Sequence, residues 1–360
     1  MKRTFLCMLA VGVLLQAAAQ VRGKIDIPNL PGYVTLKCDF HIHTVFSDGN
    51  VWPAVRIAEA YREGLDAVSI TDHIEYRPHA GDIKASHNRS FELAEPVAKA
   101  AGILLIKGSE ITRAMPPGHH NALFLTDSDE LDQPDYMDAF RAAQKQDAFI
   151  FWNHPGWDAQ QPDTTLWFPE HTRLLEQGMM MGIEVVNGEE YFPEAHQWCL
   201  DKKLTMLGNS DVHDPIQAQY NFDKGAHRTM TLVFARDVST QGVKEALRER
   251  RTAVYCGERL IGEERYLKAL FEQALDIKIV KVNNASVRVT FTNNSDFVFH
   301  LKKTAHDTRL VYFREYTIQP KGEQTVTVRL QEGIQGGDMN FSIENLLVQP
   351  NRGMDYTIKI

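Results

Sequence analysis

Between residues 36 and 235, apolar runs of strand length alternate with stretches of helical period, and polar groups gather where the apolar runs end. The runs fall at residues 36–40, 67–70, 103–106, 148–152, 183–186 and 204–207. They are nearly continuous rather than alternating, as in strands buried on both faces, and so predict a parallel sheet covered by helices. Helical spacing marks 53–62, 91–101, 136–146, 193–202 and 239–250, the last behind Ser239 and Thr240 as cap. The class this predicts is α/β, a closed barrel whose functional groups stand at the carboxyl ends of its strands.

Around Gly257 the pattern changes. A helical segment at 263–274 gives way to short alternating strands at 277–280, 287–291, 297–299, 310–313, 325–328, 341–343 and 356–360. Turn residues such as Asn293-Asn294-Ser295 and Pro320-Lys321-Gly322 separate them, which predicts a small immunoglobulin-like β-sandwich. At the other end, Lys2 and Arg3 precede an apolar stretch at 5–15 and the small-residue run Ala17-Ala18-Ala19. This reads as a signal peptide, too short for a membrane span, and predicts export to the periplasm or beyond. The expected organisation is a signal peptide at 1–19, a barrel at 20–274 and a sandwich at 275–360.

Composition narrows the function classes. With 43% hydrophobic and 24% charged residues the chain is an ordinary globular sequence, and its net charge of -8 argues against a nucleic-acid partner. Once Cys7 leaves with the signal peptide, Cys38, Cys199 and Cys256 are too few and too scattered for a disulfide framework, and buried thiols are expected.

The strand ends carry the chemistry. They collect His41, His43, Asp48, His73, Glu110, His119, His154, Asp211 and His213. His41 and His43, two apart in an extended segment, project from one face and suit a shared metal ion, although His-x-His also arises on solvated strands. Imidazole and carboxylate without thiolate favour Zn, Mn or Fe. The polar insertion at 74–90 brings Arg77 and Arg89, which could grip a phosphate oxygen or simply lie in a solvated loop. Trp152 and Trp157 flank His154 and could line an apolar leaving-group pocket. His171, His196, His300 and His306 lie away from these motifs and are expected at the surface.

Six short motifs in order, "DFHIHTVFSDG", "ITDH", "GSEIT", "GHHNALF", "NHPGW" and "SDVH", resemble the polymerase and histidinol phosphatase (PHP) superfamily of metal-dependent phosphoesterases over residues 36–235. The resemblance implies a distorted seven-stranded barrel with two or three divalent ions. His41, His43, Glu110 and Asp211 would hold one, Glu110 bridging to a second at His119 and His154, and Asp48, His73 and His213 a third. It favours His119 over His120. On such a cluster a metal-activated hydroxide is expected to attack phosphorus, with Asp211 to orient it and a third metal, or else His73 or His213 as an acid, to assist the leaving group. The run "TDHIEYRPH" with "NRSFELA", a signal peptide before and a sandwich behind, looks like exported bacterial phosphodiesterases acting on small-molecule organophosphate diesters. The alternatives are a monoesterase of the same family and a catalytically silent surface- or carbohydrate-binding protein.

Overall fold

The computed structural model describes residues 21–304 and 308–360. The expected signal peptide and His306 lie outside the described residues.

In chain order the first part contains β1 (Val34–Asp39), α1 (Pro53–Glu63), β2 (Ala67–Ile70), α2 (Arg89–Ala101), β3 (Leu104–Ile111), β4 (His120–Leu123), α3 (Tyr136–Lys145), β5 (Phe149–Trp152) and α4 (Pro169–Glu176). It continues through β6 (Gly182–Asn187), the short β7 (Glu190–Tyr191), α5 (Pro193–Lys202), β8 (Thr205–Asn209), α6 (Ile216–Gln219), β9 (Met230–Ala235), α7 (Thr240–Arg248), β10 (Thr252–Cys256), β11 (Arg259–Gly262) and α8 (Glu264–Ala274). The helix ends follow from their sequence. Pro53 opens α1 where its missing N–H costs nothing, and Gly64, at φ 78°, closes it in the left-handed conformation that spares glycine a Cβ clash. Ser239 caps α7, its hydroxyl accepting from the Gly242 amide.

The sheet is mixed rather than wholly parallel. β1, β2 and β3 run parallel, as do β5, β6 and β8, but β4 lies antiparallel between β3 and β5. The connection from β3 to β4, residues 112–119, holds no helix and is too short for the crossover that parallel neighbours require, so the chain can only double back. The barrel closes just beyond its strands. Ile42 and Val212 form a parallel bridge, the Asp211 amide donates to the His41 carbonyl at 2.9 Å, and the His43 amide to the Val212 carbonyl at 3.1 Å. The hydrogen bonding thus passes from the end of β8 to the end of β1 at the level of the candidate ligands.

The second part comprises β12 (Leu275–Asn283), β13 (Ser286–Asn293), β14 (Phe299–Lys303), β15 (Leu310–Val311), β16 (Glu315–Ile318), β17 (Glu323–Leu330), β18 (Asp338–Gln349) and β19 (Arg352–Lys359). One sheet orders β12, β13, β17 and β15, the other β16, β14, β18 and β19. Inward-facing Val289, Phe291, Val326, Phe299 and Phe341 share a core with Leu267 and Phe271 of α8. The second sheet does not stop at the sandwich. β18 pairs in parallel with β11, Leu260 beside Leu346 and Ile261 beside Leu347, so one hydrogen-bonded sheet runs from barrel to sandwich.

Some surface expectations are overturned. His171 and His196 are fully buried. The His171 ring stacks on Trp152 at 3.8 Å; its Nε2 donates to the Pro117 carbonyl at 2.8 Å and its Nδ1 accepts from the Phe168 amide at 3.1 Å. A neutral imidazole satisfied on both nitrogens is stable inside. Trp152 is core, between His171 and Trp198, not pocket lining. Cys38, Cys199 and Cys256 are free and buried.

Candidate metal centre

Apart from Asp48, which lies in the turn that follows β1, every candidate ligand sits at or near a strand end. His41 and His43 continue the extended path of β1 and are fully buried; Glu110 is the penultimate residue of β3; His119 immediately precedes β4. His73 follows β2 and bridges in parallel to Glu110, His154 follows β5, and Asp211 and His213 follow β8.

The side chains converge on three foci. At the first, Nε2 of His41 lies 3.3 Å from Glu110 Oε2 and 3.1 Å from Asp211 Oδ1, and Nε2 of His43 lies 3.3 and 3.0 Å from the same oxygens. Donors about 2.0–2.1 Å from a tetrahedral ion would be separated by roughly 3.3 Å, and these four histidine–carboxylate separations match that spacing. Glu110 turns its other oxygen to a second focus, 2.9 Å from His119 Nδ1 and 3.7 Å from His154 Nε2. At the third, Asp48 Oδ1 lies 3.2 Å from His213 Nε2, 3.4 Å from His73 Nε2 and 3.7 Å from His43 Nδ1.

The donors fit cations. His43 Nε2, Asp48 Oδ1, His119 Nδ1 and Asp211 Oδ1 are buried polar atoms with no hydrogen-bond partner, all aimed into the cluster. Each such atom costs about 1–3 kcal/mol unless something accepts its lone pair or charge. Burial alone would raise the Glu110 and Asp211 carboxyls, but the surrounding histidines hold both well below the usual range. Burial and the neighbouring His213 and His73 push His43 down to about 4, leaving it neutral and free to ligate. Burial opposes the charge on His41 and His73, yet the carboxylates overcome it, raising His41 well above its ordinary value and His73 to about 10. These are protons of the kind that metal binding displaces. The backbone adds a second mark: His154 at φ 29° and Asp211 at φ 51° occupy conformations that side chains rarely adopt and that concentrate at functional sites.

Several supporting residues escape the motif reading. Glu184, fully buried on β6, accepts from Asn209 Nδ2 at 2.9 Å, Asn187 Nδ2 at 2.9 Å and the His154 amide at 2.8 Å, and takes His41 Nδ1 at 2.9 Å. The only signal for it is a carboxylate inside an apolar run, which in a two-faced buried strand demands partners. Asn153 Nδ2 donates to Glu110 Oε1 at 2.9 Å, and Asp72 fixes the turn after β1 by accepting from the Thr44 amide and the Ser47 hydroxyl.

Other candidates stay apart. Arg77 donates to the carbonyls of Phe46 and Ala85, bracing its loop. Arg89 is the exposed first residue of α2 and pairs with Glu92 at 2.9 Å. His120 is buried against Phe140, its Nδ1 3.3 Å from the Gly118 carbonyl, and points away from the foci that His119 faces. Beside the cluster opens a cavity of about 580 Å³ bounded by Asp48, His73, Tyr76, Met115, His119 and Trp157. Neither Arg77 nor Arg89 lines it.

A family model described as an Ig-like domain matches residues 275–359. No curated protein matches the chain. Among solved structures, a two-domain protein from Bacteroides vulgatus containing a predicted PHP-like metal-dependent phosphoesterase superposes with a TM-score of 0.94 at 60% identity, covering 95% of this chain and 100% of that one. A proposed metal-dependent phosphoesterase from Bifidobacterium adolescentis is 17% identical over 49% of this chain and 87% of its own, with a TM-score of 0.40. An amidohydrolase from Chromobacterium violaceum, with bound sulfate and no metal, is 16% identical over 49% of this chain and 88% of its own, at 0.38.

Proposed function

Since the chain belongs to the family of two-domain proteins with a PHP-like metal-dependent phosphoesterase, we propose that it is an exported hydrolase of small-molecule phosphate esters, diesters before monoesters, working with two or three Mn, Zn or Fe ions. One observation carries the reading: Nε2 of both His41 and His43 lies 3.0–3.3 Å from carboxylate oxygens of Glu110 and Asp211, and the second oxygen of Glu110 serves a neighbouring focus. His41, His43, Glu110 and Asp211 would hold one ion, Glu110, His119 and His154 a second, and Asp48, His73 and His213 a third.

Divalent ions at these foci would supply Lewis acidity, activating water and neutralising charge on phosphoryl oxygens. The chain's own groups do the positioning. Asp211 presents Oδ1 to the first focus while Asn187 holds its Oδ2 at 3.1 Å, which fixes the carboxylate that would orient the attacking water. With no ion at the third focus, His213, partly exposed and raised above its ordinary value because nearby Asp48 and Asp211 outweigh its burial, would instead carry a proton for the departing alkoxide. His73 is the other acid in reach. The diester preference is supported by the resemblance in the 71–94 segment and by a cavity lined without lysine or arginine, which leaves a second negative charge uncompensated. Export is supported by the basic, apolar and small-residue order of residues 2–19.

The test is a panel of bis(p-nitrophenyl) phosphate, p-nitrophenyl phosphate and p-nitrophenyl acetate, with metal analysis of the same preparation. Fastest turnover of the diester with at least two ions per chain is expected. Preference for the acetate, or no bound transition metal and no turnover, overturns the reading. Replacing His41 or Asp211 by alanine should abolish turnover and lower metal content; full activity with unchanged metal in both would remove them from the site.

A further inference from the structure

The cavity beside the cluster has two aromatic walls. Tyr76, 53% exposed, stands edge-on to His73 with ring centroids 5.8 Å apart, while Trp157, 42% exposed, stands against His119 at 5.6 Å and His154 at 5.2 Å. The two rings therefore lie beside different foci, one near Asp48 and His73, the other near Glu110 and His119. Met115, half-buried, lines the same space, and Gln160 is tied to the Arg113 carbonyl at 3.0 Å.

Large aromatic side chains left open to solvent are costly in apolar surface unless something covers them, and flat faces beside a polar centre receive flat ligands well. The nearby cations are engaged elsewhere. Arg77 serves Phe46 and Ala85, and Arg113 is held by the Gln133 carbonyl and by Glu75 at 2.8 Å. The lining thus offers aromatic area and no fixed positive charge beyond the histidines.

From this we infer that Tyr76 and Trp157 are specificity-determining residues that receive a flat, uncharged organic group esterified to the phosphorus, so that the substrate class is aryl or similarly planar phosphodiesters. The inference rests on the phosphoesterase reading but concerns affinity for the organic group, not the reaction. The planar group would pack against an aromatic face while the phosphoryl oxygens lie at the foci. Losing one such wall should weaken binding of a planar diester roughly 10- to 100-fold.

The experiment is calorimetric binding of diphenyl, dicyclohexyl and dimethyl phosphate to the metal-loaded full chain, wild type and the variants Trp157→Ala, Trp157→Phe and Tyr76→Ala, with metal content measured on each. Diphenyl phosphate should bind at least 10-fold more tightly than the other two. That margin should shrink in Trp157→Ala and Tyr76→Ala and largely return in Trp157→Phe, all at unchanged metal content. Equal affinity for the diphenyl and dicyclohexyl esters in the wild type, or a margin untouched by both alanine variants, overturns the assignment. Because binding is read directly, failure to turn over bis(p-nitrophenyl) phosphate counts against the reaction and not against the pocket.

Discussion

Glu184 braces three of the candidate ligands without being one of them. Its carboxylate holds the Nδ1 side of His41, the amide of His154 and, through Asn187, the carboxylate of Asp211. A His ligand whose second nitrogen is fixed by a carboxylate keeps its tautomer and orientation, and losing such a partner lowers metal affinity by about 10–100-fold. Glu184→Gln should do so here while the chain stays folded; competition against a graded chelator, with far-UV circular dichroism alongside, reads both. At this scale the candidate ligands that the structure brings together were legible because imidazoles and carboxylates at strand ends are conspicuous. Glu184, Asn153 and Asn187 were not, since their role depends on which strands become neighbours. The arginines misled for a related reason: a guanidinium in a polar loop looks available until its carbonyl partners are known, as Arg77 shows.

Among the elements, α1 is joined to the centre by one side chain. Arg56, fully buried, donates to the carbonyls of His43, Val212, His213 and Asp214 and pairs with Glu59 at 2.8 Å. It thereby ties the helix to both segments that close the barrel. Arg56→Ala removes the buried charge partner of Glu59 and one donor from each of those carbonyls and should cost about 3–5 kcal/mol, seen as a lower urea midpoint. Metal analysis should show the focus built from Asp48, His73 and His213 emptied first. Lysine would restore little, since a point charge cannot serve partners in so many directions. The positions of α1, α3, α5 and α7 could be read within a residue or two, because amphipathic period and caps are local. The direction of β4 could not be read from its own residues; the short link 112–119 sets it.

For the whole molecule, two buried imidazoles set an acid limit. Burial holds His171 and His196 down to about 4, while an unfolded chain takes up those protons near 6.5. Their contribution is complete above about pH 6.5 and is lost as pH falls towards 4, at about 1.4 kcal/mol per unit for each group and up to about 3 kcal/mol each. In chelator-treated protein, the unfolding free-energy gap between wild type and His171→Gln should narrow steadily from pH 7 to 4.5; a constant gap would count against this. The sandwich was legible as a run of short alternating strands, but its attachment was not, because a register between β11 and β18 leaves no mark on either segment alone. Deleting residues 275–360 should yield a barrel that aggregates, since Leu260, Leu267, Leu270 and Phe271 would lose their cover; a soluble, monomeric fragment on size exclusion would refute this.

The pairing of Leu260 with Leu346 and Ile261 with Leu347 also limits how such a protein can be rearranged by recombination. α8 passes into β12 with no residue between them, so a crossover at that point meets no linker. An incoming module would have to offer a strand of matching direction and length to the open side of β11 and a surface that seats α8. Exchange of the sandwich alone is therefore constrained by geometry as well as by function, and the two parts are expected to travel, and to diverge, together.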